Sequence, residues 1–369
     1  MSLEIKRVLI AFIILLNFGM FISFSNFFVY EPGIEKVDSV EDYKPLFEMY
    51  ELSKEGKVKS FYVENFNSAY GDGTEYMKMA LGEESYPPYS LRPFYPKFIG
   101  SIAEILASII DKENTKATQL NLLQPIMSIF NSLFLAIATI FIFLAIKKYL
   151  NDELLSGLLA LGLIVNVGTI QTSQFFMLDV ISYCVGAIAI YFFAYQRYLY
   201  LSITIGVGIL VKEVIVIYSL LLFYPFILDK RKWIGTLKLL IIPIFVFVGL
   251  RLLMNVDPLS MQYGWNISRG EYKLHYLLNH LGGIKQTIVF GIKVFFAFGV
   301  FWFFAFSSFF SKQKKLVLIL FLMIGAIIFA NALLASRVPR VIFVMFPAIV
   351  ILSAIGINQI LKKNAPSTI

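Results

Sequence analysis

The segment Tyr70-Gly-Asp-Gly-Thr-Glu-Tyr-Met-Lys-Met-Ala80 sets a carboxylate, Asp72, between two glycines, with Tyr76 four residues later. A second segment, Tyr89-Ser-Leu-Arg-Pro-Phe-Tyr-Pro96, contributes Arg92. Farther along, Asp179 opens an apolar run, Lys212 and Glu213 interrupt another, and Arg337 and Arg340 precede the last one. A carboxylate can accept a proton from an attacking hydroxyl, and fixed cations can take up the charge that a leaving anion gathers. Each residue also has an ordinary reading. Gly71-Asp72-Gly73 taken alone is a turn with a solvated carboxylate. Asp179 can cap a helix, and the two arginines can anchor one at an interface. Charges near membrane depth are costly, however, and they pair or mark a functional path.

The elements that must position these residues are membrane helices. Of 369 residues, 58% are hydrophobic and only 15% charged, with 37 Phe, whereas a soluble domain carries roughly 25% charged residues. The apolar residues arrive in blocks rather than in a 3.6-residue stripe, as lipid-exposed or bundle-buried helices require. The formal charge of +8 does not point to nucleic acid, because the basic residues cluster at the ends of apolar runs. The lone cysteine, Cys184, lies within such a run and excludes an intramolecular disulfide. His275 and His280 are too poorly spaced on a helix to form a metal pair.

Ten spans are expected, over residues 8–30, 121–146, 154–172, 178–195, 199–211, 214–228, 239–254, 286–310, 316–335 and 341–361. The chain then divides into a first transmembrane helix (1–30), an outer loop (31–120), helices two to seven (121–254), a second outer loop (255–285), and helices eight to ten with a cytoplasmic tail (286–369). With the N-terminus inside, one side collects Lys6 and Arg7, Lys147 and Lys148, Arg197, Lys230 to Lys232 with Lys238, Lys312 to Lys315, and Lys362 and Lys363. The short turns on the other side hold few basic residues. This obeys the positive-inside rule and places both termini in the cytoplasm.

Two segments refine that topology. Residues 96–110 are short for a span and carry Lys97 and Glu104, while Ile99, Ile102, Ala103, Leu106 and Ile110 share one helical face. They are expected to form a helix lying in the outer interface. Residues 199–228 begin and end on the inner side, so they must reverse. Thirty helical residues measure about 45 Å, too little for two full crossings of a ~30 Å core. The reversal at 211–213 is therefore expected below the outer surface, where broken backbone is tolerated only in protein or beside a wet cavity.

This arrangement resembles the GT-C superfamily of membrane glycosyltransferases, most closely its protein O-mannosyltransferase-like and bacterial cell-envelope branch. Asp72-Gly-Thr-Glu-Tyr76-(x)3-Ala80 is similar to the acidic Asp-Gly-x-x-Tyr-(x)3-Ala motif of the family's first outer loop. Tyr89-Ser-Leu-Arg92-(x)3-Pro96 is similar to the Tyr-Arg-x-Arg-(x)3-Pro segment that follows it. Leu178-Asp179, Lys212-Glu213 and the stretch from Arg337 to Pro347 resemble the family in order and side. The resemblance implies an all-α polytopic bundle of about ten transmembrane helices, with a large outer first loop holding an interfacial helix. It also implies sugar transfer from a polyprenyl-phosphate carrier to a glycan, lipid or protein acceptor outside, with inversion. Asp72 would be the general base. Tyr76, Arg92, Asp179, Lys212, Glu213, Arg337 and Arg340 would line the substrate site, the cations facing the carrier phosphate.

The chain departs from the pattern in places. Gly73 follows Asp72 where many relatives carry a second acid, which weakens a metal-dependent reading and leaves a divalent metal as an optional helper. About forty residues separate the first span from Asp72, more than is usual. Two other functions fit the same features: a transporter or flippase of a lipid-linked glycan, and a GT-C relative without activity that serves envelope assembly. The absence of evident repeats between the two halves argues against the transporter. The abundance of Ile, Lys and Phe points to a prokaryotic plasma membrane.

Overall fold

The computed structural model describes residues 3–28, 71–83, 85, 89–113, 115–166, 168–169, 178–254, 281–334 and 342–362, and it is helical throughout, with no strand among them. Among the described residues three helical stretches are long and apolar enough to cross a membrane: Thr118–Lys147, Lys230–Leu253 and Phe343–Lys362. A bent pair, Ile284–Phe298 with Phe301–Phe310, makes a fourth if it counts as one span.

In chain order the elements are α1 (Leu3–Phe28), α2 (Gly71–Ala80), α3 (Phe94–Ile110), α4 (Thr115–Lys147), α5 (Glu153–Leu161) and α6 (Asp179–Ala194). Helix α7 (Tyr198–Val211) follows, then a 3-10 run (Glu213–Phe223) prolonged by α8 (Tyr224–Leu228), and then α9 (Trp233–Leu253). The chain closes with α10 (Ile284–Phe298), α11 (Phe301–Ser307), α12 (Lys314–Leu334) and α13 (Phe346–Lys362).

Two expected spans are interrupted. Helix α5 stops at Leu161, far short of residue 172, because Asn166 captures the carbonyls that would continue it. Its Nδ2 donates to Gly162 O, Leu163 O and Thr169 Oγ1, each at 2.9 Å. The run 286–310 bends by 88° between α10 and α11. Gly299 makes the corner at φ 53°, a conformation that a Cβ would oppose. The expected turn at 71–73 is instead the start of a helix.

The expected reversal within 199–228 is present. Lys212 is a single extended residue between α7 and the 3-10 run. Phe193 lies 6.5 Å from Tyr198 and 5.3 Å from Tyr224, ring to ring, so the two legs of the hairpin return to the same place. At about 1.5 Å per residue, the 14 residues of α7 rise only about 21 Å. The 3-10 leg climbs faster, about 2.0 Å per residue. Gly208 gives the legs room near the apex, where a Cβ would crowd Ile215 and Val185.

One end of the bundle gathers the basic segments. Arg7 pairs with Asp152 at 2.7 Å, Lys147 with Glu153 at 2.6 Å, and Lys6 Nζ donates to Ile360 O at 3.2 Å. Asn358 Nδ2 reaches Tyr149 O, and Lys315 Nζ reaches Ile227 O. The apex at Lys212 and the first residue of α6 lie at the opposite end.

A main core runs through the bundle, and a smaller one lies beneath that apex. The smaller core joins Tyr76, Met79 and Ala80 of α2, Tyr95, Ile99 and Ala103 of α3, Leu123, Ile126 and Met127 of α4, Leu178 and Ile181, and Val211. Helix α3 therefore presents three sectors at helical spacing. Tyr95, Ile99, Gly100, Ala103 and Ala107 are buried, Phe94, Phe98, Ile105 and Ile109 are exposed and apolar, and Lys97, Ser101, Glu104 and Ser108 are exposed and polar. Of the expected face Ile99, Ile102, Ala103, Leu106 and Ile110, Ile99 and Ala103 are buried, Ile102 is half-buried, and Leu106 and Ile110 are exposed. The buried stripe continues to Ala107 instead, because small residues allow the closer approach to α2 and α4.

Candidate functional site

Helix α2 forms because its apolar residues fall on one face. Tyr76, Met79 and Ala80, at i, i+3 and i+4, are buried against α3. Gly82, at φ 81°, stops it, and the Glu83 amide caps the Lys78 carbonyl at 2.9 Å. The helix end sits directly on α3, since a Cβ at Gly100 would collide with the Ala80 carbonyl. Gln119 Nε2 of α4 donates to Gly100 O at 3.2 Å and ties the three helices together. Asp72 occupies the second position of α2, one turn before Tyr76.

The extended residue at the hairpin apex decides the rest. In a continuous helix Lys212 and Glu213 would diverge by only about 100° around one axis. Here Lys212 leaves the helix with φ −158° and ψ 122°, and the two consecutive side chains reach different elements. Lys212 Nζ donates to Asp179 Oδ1 at 2.7 Å, at the start of α6. Glu213 takes Arg92 in a two-pronged contact: Arg92 Nε donates to Oε2 at 2.7 Å and Nη2 donates to Oε1. Arg92 Nη1 donates to the Tyr76 hydroxyl at 2.6 Å.

The sequence-derived residues Tyr76, Arg92, Asp179, Lys212 and Glu213 thus meet at one end of the bundle, all less than a tenth exposed. They come from segments as much as 137 positions apart. Their desolvation is costly, and geometry of this quality is what offsets it. The arrangement also alters the roles that the cations can take. Arg92 and Lys212 each hold a carboxylate, so their charge is largely spent within the protein. They bind the hairpin apex to α2, through Tyr76, and to the start of α6. Arg337, Arg340, His275 and His280 lie outside the described residues. Among the described residues no group of three or more His, Cys, Asp and Glu side chains could hold a metal ion.

Sequence reasoning passed over three buried polar residues here. Glu75 lies within the acidic motif, accepting from Ser85 Oγ at 2.9 Å and Lys78 Nζ at 3.2 Å, and it fastens the loop after α2. Asn131 accepts from the Tyr95 hydroxyl at 3.3 Å. Arg251, in the last turn of α9, is 8% exposed. Its signal was available: Thr236, Leu240, Pro243, Phe247 and Arg251 follow helical spacing, and the stripe marks the protein-facing side.

No protein-family model matches this chain, and comparison with characterised proteins and with solved structures finds no match either.

Proposed function

We propose that the protein is a multi-pass membrane glycosyltransferase that moves a sugar from a polyprenyl-phosphate carrier to an acceptor on the outer face. The observation that carries this reading is the buried cluster Tyr76–Arg92–Glu213 beside Lys212–Asp179. It fastens the helix bearing Asp72 to a hairpin apex opposite the basic end of the bundle. One desolvated ion pair, Arg92–Glu213, ties the apex to α2 through the Tyr76 hydroxyl, and a second, Lys212–Asp179, ties the apex to α6; a passive connector has no need of either. The GT-C-like order of the motifs gives the arrangement its chemical sense.

In this reading about ten helices cross the membrane, both termini are cytoplasmic, and the membrane is a prokaryotic plasma membrane. The three sectors of α3 suit a helix in the outer interface, with one side on protein, one in lipid and one in water. Asp72 accepts the proton of the acceptor hydroxyl as that oxygen bonds to the anomeric carbon. The bond from this carbon to the phosphate oxygen breaks, and the carrier phosphate departs with the electron pair, giving inversion. Tyr76 and the Arg92–Glu213 pair keep α2 in register.

The test uses membranes containing the chain, supplied with a panel of radiolabelled polyprenyl-phosphate sugars. Release of polyprenyl phosphate and labelling of an acceptor support the reading. Donors that cross the bilayer unaltered would instead identify a flippase.

A further inference from the structure

The cations at the site end are unequally engaged. Arg92 and Lys212 are bound to carboxylates. Arg251 has no ion pair among the described residues, and its Nε is buried without a hydrogen-bond partner. Its guanidinium lies 3.8 Å from the centre of the Phe247 ring. That contact holds the plane of the group but satisfies none of its N–H donors in the plane. A simple interfacial anchor would extend its head into water. Arg251 is 8% exposed, whereas Leu252 and Leu253 beside it are 59% and 82% exposed.

Its height in the bundle follows from the packing of α9 on α7. Ser202 Oγ donates to Leu239 O, and Gly206 faces Ile242 and Val246, so the two helices run in the same direction. From Gly206 to Lys212 is about 9 Å of rise, and from Val246 to Arg251 about 7.5 Å. Arg251 therefore stands level with the hairpin apex. The buried stripe Thr236, Leu240, Pro243 and Arg251 puts it on the side of α9 that faces that hairpin.

We infer that Arg251 receives a lipid-borne phosphate at this end of the bundle, a role that rests on the proposed function when the lipid is the sugar carrier. A forked guanidinium whose Nε has no hydrogen-bond partner among the described residues suits a phosphate, whose oxygens match the fork. The lipid origin follows from the rest of α9. Leu237, Ile241, Phe245 and Leu252 are exposed and apolar along its outer side, a surface for a prenyl tail whose head reaches Arg251. Free phosphate has no use for that surface.

The test measures binding without turnover. Purified protein in phosphatidylcholine nanodiscs is titrated with tritiated polyprenyl monophosphate, with polyprenol, phosphatidylglycerol and inorganic phosphate as competitors. Arg251→Gln is expected to weaken saturable binding by about tenfold or more, since a charge-assisted pair is lost, and polyprenol is expected not to compete. Displacement by phosphatidylglycerol as effective as by the polyprenyl probe would keep the phosphate role and detach it from the carrier. Wild-type affinity in a folded Arg251→Gln variant, with Cys184 still protected from thiol reagents, overturns the inference. If that variant loses protection, the wild-type chain decides. A polyprenyl monophosphate with a diazirine on its first isoprene unit should label the peptide containing residues 251–253, and labelling confined elsewhere overturns the assignment. Because no sugar is transferred, a failed transfer assay leaves this result standing.

Discussion

Replacing Glu213 by Gln removes one charge and almost no volume. Glu213 and Arg92 are 8% and 6% exposed, so the substitution leaves a guanidinium in a poorly solvated place with an amide where its carboxylate was. Breaking one side of a buried pair costs about 3–5 kcal/mol. The lone cysteine offers a clean readout, because Cys184 is 3% exposed on α6, the helix that begins at Asp179. Labelling by a maleimide then requires the bundle to open, and its rate follows the open population while reclosing is fast. At 1.4 kcal/mol per tenfold, Glu213→Gln should speed labelling roughly a hundred- to several-thousand-fold. The double variant Arg92→Leu, Glu213→Gln removes both charges. It should cost far less than the two single changes added together, with a coupling of about 2 kcal/mol or more. Single effects that add to within about 0.5 kcal/mol, or wild-type labelling in Glu213→Gln, would refute the claim that this pair holds the site together.

Three other perturbations probe the same architecture. Lys212→Met strips Asp179 of its 2.7 Å partner and should cost about 3 kcal/mol by the same labelling assay, with most of that regained in Asp179→Asn, Lys212→Met. Gly100→Ala puts a methyl group into the Ala80 carbonyl; it should exceed the usual 1–3 kcal/mol of overpacking, because the obstacle is backbone. Trypsin should then cut faster at Lys78. Tyr76→Phe removes the acceptor for Arg92 Nη1 and should cost about 1.5–3 kcal/mol, as for a hydrogen bond to a charged group, measured by thermal unfolding in detergent.

Much of the site was legible in the sequence because charge is so scarce there. Asp179, Lys212 and Glu213 stand out against apolar runs, and their parity with the basic segments put them at one end. The hairpin at Lys212 followed from the basic residues at both of its ends together with its length. Which cation meets which carboxylate was not legible, since it depends on one extended residue sending neighbours 212 and 213 to different helices. The breaks at Asn166 and Gly299 were hidden for a similar reason: hydropathy reports burial, and neither a side chain that captures carbonyls nor a positive φ changes it. The start of α2 was misjudged because two glycines favour a turn locally, and only the packing of Tyr76, Met79 and Ala80 on α3 outweighs them. Arg251 was overlooked because a single arginine near the end of an apolar run has the form of an anchor.

The central claim is that the carboxylate at the head of α2 takes the proton of an acceptor hydroxyl. The most direct measurement compares wild type with Asp72→Asn in membranes given a radiolabelled polyprenyl-phosphate sugar that the wild type consumes. Loss of a general base predicts a fall in transfer of about 10²–10⁴-fold, with donor binding and Cys184 protection retained. Transfer by a folded Asp72→Asn variant at the wild-type rate would contradict the account.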